Sequence, residues 1–173
     1  MARQLWLLRH ADAEPHGSRE DSQRRLTERG ERQARTAGLA LARLGLGFEA
    51  VFFSPKVRAR QTAEMAAEAW DEGDRSRLSV LPALASGFDG GQALDAMAGV
   101  SDEGRLMLVG HEPDLSNVVA QLTGGRIDLK KGGLAVLRLD GGGGELAVLL
   151  RPRELALIAD PSLRVLGVPV GGE

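Results

Sequence analysis

The sequence of 173 residues contains no cysteine and no tyrosine. The absence of cysteine excludes disulfide bonds, thiolate zinc sites and a cysteine nucleophile. Aromatic residues make up only 3% of the chain, so we expect no aromatic platform for stacking bases. Three histidines are too few for a multi-histidine metal site beside other chemistry. These are His10, His16 and His111.

Neither sign of charge dominates, because the chain has 22 Lys and Arg and 24 Asp and Glu, which gives a net charge of −2. General nucleic-acid binders are usually strongly basic, so no nucleic-acid partner is expected. Long apolar runs are also missing. The first run, residues 5–8, ends at Arg9 and is too short for an export signal or a membrane helix. We therefore expect one cytoplasmic domain over residues 1–173, with no membrane contact.

Short apolar runs alternate with helical patterns along the chain. Their order predicts an α/β fold, a three-layer sandwich with a mostly parallel central sheet and an antiparallel hairpin near its edge. Glycines at 141–144 predict the hairpin turn, and those at 171–172 a loose tail. The predicted strands are 5–8, 50–53, 106–109, 134–139 and 146–150, and the predicted helices are 27–44, 57–70, 115–122 and 153–159.

Charged or imidazole residues follow three of the predicted strands. Arg9 and His10 follow the first strand, Arg58 lies just beyond the second, and His111 follows the third. The carboxyl ends of parallel strands lie on one edge of a sheet, so these side chains are expected to converge there. Two guanidiniums, two imidazoles and nearby helix N-termini suit an oxyanion, most naturally a phosphoryl group.

Four segments of the chain read LLRHA at 7–11, LTERGERQA at 26–34, SPKVRARQTA at 54–63 and VGHEP at 109–113. Together they resemble the motifs of the histidine phosphatase superfamily, between residue 3 and about residue 122. The resemblance implies a phosphoglycerate mutase-like fold. The short chain, with Asp12-Ala13 after the histidine, is similar to the compact, SixA-like phosphohistidine phosphatase branch.

The resemblance implies a role for each of the converging residues. His10 is expected to attack phosphorus and form a phosphohistidine intermediate, while its other ring nitrogen donates to a backbone carbonyl. Arg9, Arg58 and His111 are expected to hold the phosphoryl oxygens. Arg25 is a further candidate for substrate binding. No metal or cofactor is required.

Two features depart from the family pattern. Ala11 stands where the family usually has glycine, which restricts the backbone there. Larger members carry an acidic proton donor after the second motif, whereas residues 80–86 contain no acid. Asp12 is the candidate acid because it lies close to His10 in the sequence, and Asp89 lies a little beyond residues 80–86. His16, in a polar loop, is expected to be exposed.

Three functions remain open from the sequence. The first is a metal-independent phosphatase acting on phosphohistidine in proteins, since a chain without a capping insertion leaves an open pocket for a protein side chain. The second is a small-molecule phosphomonoesterase acting on a sugar phosphate or nucleotide. The third is a non-catalytic phosphate-binding regulatory module. The first is favoured, because an imidazole leaves phosphorus without the strong acid that an alkoxide needs.

Overall fold

A six-stranded sheet forms the middle layer of the computed structural model, which describes residues 2–141 and 143–164. The strand order is β3-β2-β4-β1-β5-β6, with β1 to β4 parallel and β5 and β6 forming an antiparallel hairpin at one edge. The predicted sheet is therefore confirmed. The strands are β1 (Arg3–Arg9), β2 (Ala50–Phe53), β3 (Leu78–Val80), β4 (Arg105–Gly110), β5 (Leu134–Asp140) and β6 (Gly143–Leu150).

Helices cover both faces of the sheet and complete the three layers. Alternate residues of β1 enter the two cores: Trp6 and Leu8 pack on the face covered by α1, α2 and α6, whereas Leu5 and Leu7 pack on the face covered by α4 and α5. None of the described helices is long and apolar enough to cross a membrane. The helices are α1 (Glu28–Arg43), α2 (Val57–Ala67), α3 (Glu72–Arg75), α4 (Gly90–Met97), α5 (Asp114–Thr123) and α6 (Pro152–Ala159).

The start of α1 is fixed against the loop that follows β1. Thr27 caps the helix, and its side-chain oxygen accepts a hydrogen bond from the Gly30 amide at 3.1 Å. A Cβ atom on Gly30 would lie 1.9 Å from the Asp12 carbonyl oxygen, so only glycine permits this approach. The Leu-Thr motif therefore holds the main chain just beyond His10.

The structure contains elements that the sequence patterns did not predict. Strand β3 lies at the far edge of the sheet, and α4 lies between β3 and β4 in the chain. Helix α2 ends at Ala67, three residues earlier than predicted, and α3 follows it. The predicted tail at 171–172 lies outside the described residues.

Candidate active site

Three strand ends meet at one edge of the sheet. Arg9 pairs in register with Gly110, and the His10 amide donates to the Gly110 carbonyl at 3.0 Å. The Ser54 amide donates to the Val109 carbonyl, also at 3.0 Å. The predicted convergence of the three strand ends is therefore present, and the residues just beyond them line one site.

The His10 ring is held by one contact at each nitrogen. Its Nδ1 lies 2.8 Å from the Ala11 carbonyl oxygen, which can only accept a hydrogen bond, so Nδ1 carries the proton. Its Nε2 lies 3.3 Å from the Nε of Arg58, which can only donate. Nε2 therefore presents a lone pair. This arrangement leaves Nε2 chemically able to act as a nucleophile.

Both histidines of the site are buried and neutral. His10 and His111 are 6% and 7% exposed, and their ring centroids lie 5.2 Å apart. Burial lowers the pKa of His10 from 6.5 to about 3, and the charges of Arg58 and Arg9 act in the same direction. Burial likewise lowers the pKa of His111 to about 3, assisted by Arg58 and Lys56. Each ring thus carries a single proton near neutral pH.

These lowered pKa values predict that acid destabilises the fold. The unfolded chain binds protons at both histidines below about pH 6.5, whereas the folded chain does not bind them until about pH 3. The free energy of unfolding should therefore fall as the pH drops from 6.5 to 5.5, by about 1.4 kcal/mol per pH unit for each ring at full effect. Urea titrations at several pH values measure this slope.

The variant His10→Asn removes one of the two buried rings and should therefore reduce the slope. Equal slopes in wild type and His10→Asn would contradict a buried, neutral His10. His16 stays in place in both proteins, and its side chain is 87% exposed, as expected from the sequence. The range above pH 5.5 is chosen because carboxylates remain ionised there in both states.

Arg58 is buried and held from two sides. It is 4% exposed, and while its Nε faces His10, its Nη1 donates to the Asp21 carbonyl at 2.7 Å and its Nη2 to the Asp21 carboxylate at 3.3 Å. Lys56 and Arg24 also contact that carboxylate, at 2.9 and 3.0 Å. These cations, Lys56 first, hold the pKa of Asp21 far below its ordinary value. Asp21 is therefore an anionic anchor for the cations of the site.

Two buried nitrogens of the site have no hydrogen-bond partner among the described residues. They are the Nε of Arg9 and the Nδ1 of His111. Arg9 is anchored elsewhere, since its Nη1 donates to the Leu129 carbonyl at 2.9 Å. Buried polar atoms almost always have partners, so unpaired nitrogens on two family-motif residues are suited to hold an anion.

Thr62 supports the site from α2. Its hydroxyl donates to the Arg58 carbonyl at 2.7 Å and accepts from the Ala11 amide at 3.1 Å. Ala11 is fully buried, and no described residue other than glycine has a positive φ. Alanine at this position therefore imposes no backbone strain.

Arg24, rather than Arg25, turns toward the site. Arg24 is buried and donates to the Glu14 carbonyl at 2.7 Å as well as to Asp21. The Arg25 side chain is exposed, and its charge acts on Glu14. Leu26 is buried beside Ala13, and in extended chain every second side chain shares a face, which places Arg24 inside and Arg25 outside. The alternation of buried and exposed side chains before Leu26 is the sequence feature that could have identified Arg24 instead of Arg25.

Both acidic candidates make contacts that stabilise the fold. The Asp12 carboxylate accepts from the Thr27 hydroxyl at 2.7 Å and pairs with Lys131 at 3.6 Å. Asp89 caps α4, accepting from the Gln92 amide at 2.9 Å. Among the described residues, no group of three or more His, Cys, Asp or Glu could hold a metal ion.

Known proteins resemble this chain in sequence and in fold. The model of the histidine phosphatase superfamily (branch 1) matches residues 5–85. An uncharacterized protein of Picosynechococcus sp. is 34% identical over 146 residues, which cover 78% of this chain and 84% of that protein. The structure of the protein histidine phosphatase SixA complexed with tungstate is 27% identical, with a TM-score of 0.75 over 88% of this chain and 99% of that chain.

A more distant structure shares the fold alone. The alpha-ribazole phosphatase from Shigella flexneri is 19% identical, with a TM-score of 0.65 over 86% of this chain and 96% of that chain. The likeness to the protein histidine phosphatase SixA disfavours the non-catalytic module that the sequence had left open. The chain belongs to the histidine phosphatase superfamily, is similar to its SixA phosphohistidine phosphatases, and is a phosphatase.

Proposed function

We propose that this phosphatase removes the phosphoryl group from phosphohistidine side chains of proteins, with His10 as the nucleophile. The observation that carries the proposal is the fixed tautomer of His10, whose Nδ1 bonds to the Ala11 carbonyl and whose Nε2 keeps its lone pair. The similar SixA structure is that of a protein histidine phosphatase and contains tungstate, which is a tetrahedral oxyanion like phosphate.

The first step of the proposed reaction transfers the phosphoryl group to His10. The Nε2 lone pair forms a bond to phosphorus as the bond from phosphorus to the substrate's ring nitrogen breaks. If the other nitrogen of the substrate ring carries a proton, the leaving group departs as neutral imidazole. Arg9, Arg58 and His111 hold the phosphoryl oxygens while their charge shifts. Water then attacks phosphorus, releasing inorganic phosphate and restoring neutral His10.

The surroundings of the carboxylates support an N–P substrate over a phosphate ester. An alkoxide requires protonation as it leaves, and a general acid typically contributes ~10²–10⁴-fold to the rate. Residues 80–86 contain no acid, Asp89 caps a helix, and Asp12 is held by Thr27 and Lys131. An imidazole leaves more easily and so loses less when no acid is present.

We expect the enzyme to cleave phosphohistidine at least about tenfold faster, in kcat/KM, than phosphoserine, because a leaving alkoxide depends on a general acid and a leaving imidazole does not. The measurement compares a phosphohistidine-containing phosphocarrier protein with a phosphoserine form of the same protein.

Both substrates are also assayed in EDTA, in which activity should persist. Loss of activity in EDTA with recovery on adding a divalent ion would contradict metal independence.

The second candidate function is a small-molecule phosphomonoesterase. The fold shared with the alpha-ribazole phosphatase from Shigella flexneri keeps this candidate open. A panel of sugar phosphates and nucleotides distinguishes the two functions. A kcat/KM for any of these esters equal to or above that for the phosphohistidine protein would replace the first proposal with the second.

A further inference from the structure

Ser54 lies at the end of β2 and is completely buried. Its hydroxyl oxygen is 2.7 Å from the Nε2 of His111, a normal hydrogen-bond distance. The other ring nitrogen, Nδ1, is the one without a partner among the described residues. The state of the Ser54–His111 bond therefore decides whether Nδ1 presents a proton or a lone pair.

The hydrogen bonds of Ser54 determine which atom donates. The Lys56 amide donates to the Ser54 hydroxyl oxygen at 3.2 Å, so the oxygen already accepts one hydrogen bond. The hydroxyl hydrogen needs an acceptor, and His111 Nε2 is the acceptor that the described contacts of Ser54 provide. If Nε2 instead donated, the buried hydroxyl hydrogen would have no partner, which native structures strongly avoid.

The single proton of neutral His111 must then lie on Nδ1. We propose that Ser54 is a positioning residue that donates to His111 Nε2 and thereby keeps the proton on Nδ1, where it can be donated to a phosphoryl oxygen. This inference rests on the proposed role of His111 in holding that oxygen. The opposite tautomer would direct the Nδ1 lone pair at an anionic oxygen and would be repulsive.

His10 and His111 therefore hold the same tautomer for opposite purposes. In His10, Nδ1–H is bonded to the Ala11 carbonyl and Nε2 presents its lone pair. In His111, Nε2 accepts from Ser54 and Nδ1–H is the donor. The side chain or main chain that contacts each ring thus decides whether the ring acts as nucleophile or as hydrogen-bond donor.

The test reads the tautomer directly in the free protein. With ¹⁵N-labelled histidine at pH 7, NMR distinguishes protonated from unprotonated ring nitrogens, and His111 should show a protonated Nδ1 and an unprotonated Nε2. In Ser54→Ala we expect the population with protonated Nε2 to rise. A wild-type His111 protonated at Nε2 would overturn the proposal, whatever the variant does.

Kinetics provide a second readout that a purely structural role would not reproduce. With p-nitrophenyl phosphate, we expect Ser54→Ala to lower kcat roughly tenfold to a hundredfold, with a smaller change in KM, because the donor matters most in the transition state. Ser54→Thr keeps the hydroxyl and should restore most of kcat. Ser79→Ala, an exposed serine on β3, is the control and should match wild type.

The outcomes separate this inference from the proposed function. The NMR result needs no substrate, and p-nitrophenyl phosphate needs no phosphohistidine. A preference for small esters would overturn the phosphohistidine assignment and leave the Ser54 result intact. Unchanged kcat in Ser54→Ala, together with an unchanged His111 tautomer, would overturn the role of Ser54 alone.

Discussion

His10→Ala is expected to abolish phosphatase turnover, with a loss of at least about 10³-fold in kcat/KM. Removing the ring removes Nε2, whose lone pair forms the bond to phosphorus in the proposed reaction. Losses of this size or larger are typical when a covalent nucleophile is deleted. Turnover of the phosphohistidine protein, with stability checked by thermal unfolding, measures the effect.

Two further variants make this prediction specific. His10→Asn retains an amide that can donate to the Ala11 carbonyl but lacks the nucleophilic nitrogen, so it should be as inactive as His10→Ala. His16→Ala, in the exposed loop, should keep full activity. Wild-type enzyme quenched during turnover of a ³²P-labelled substrate should carry label on His10. Activity above a few per cent in folded His10→Asn would exclude His10 as the nucleophile.

Arg58→Ala is expected to lower kcat/KM by roughly 10²–10³-fold, the usual cost of removing one donor to a developing anion. The guanidinium contacts His10 Nε2 at 3.3 Å and is aligned by two contacts to Asp21. In the proposed reaction its loss removes a charge-assisted contact to the phosphoryl group, and it also leaves Asp21 with fewer cations. Both KM and kcat should worsen, as steady-state kinetics and inhibition by inorganic phosphate would show.

The controls for Arg58 lie on the same helix. Arg60→Ala removes an exposed guanidinium two residues along α2 and should have no effect. Arg58→Lys keeps the positive charge but loses the planar fork, so it should recover only part of the activity. If Arg58→Ala and Arg60→Ala behaved alike, the guanidinium beside His10 would have no part in the reaction.

The meeting of the strand ends could be predicted from the sequence because each motif follows a buried apolar run. Parallel strands place their carboxyl ends on one edge, so Arg9, Arg58 and His111 had to lie near one another. The role of Asp21 could not be predicted. It ends a polar stretch of the sequence, and only the folded chain shows that its carboxylate contacts three cations.

Strand β3 and helix α4 were not predicted from the sequence, and each was missed for a local reason. Strand β3 has only three residues, and two of them are exposed at the sheet edge, which leaves no alternating pattern to detect. Helix α4 begins with Gly90-Gly91, and glycines usually interrupt helices. Here a Cβ on Gly90 would lie 2.9 Å from Gln121 Oε1, so glycine at the start of the helix favours close packing against α5. The Asp89–Gln92 capping box provides the start signal instead.

Three of the contacts that align the side chains of the proposed phosphoryl site are made to main-chain carbonyls. His10, Arg9 and Arg58 donate to the carbonyls of Ala11, Leu129 and Asp21. Every residue has such a carbonyl, so mutational drift in the surrounding side chains cannot delete these acceptors. A side-chain substitution nearby can therefore disturb these three contacts only by moving the main chain, whereas the Asp21 carboxylate and the Ser54 hydroxyl can be lost by direct replacement.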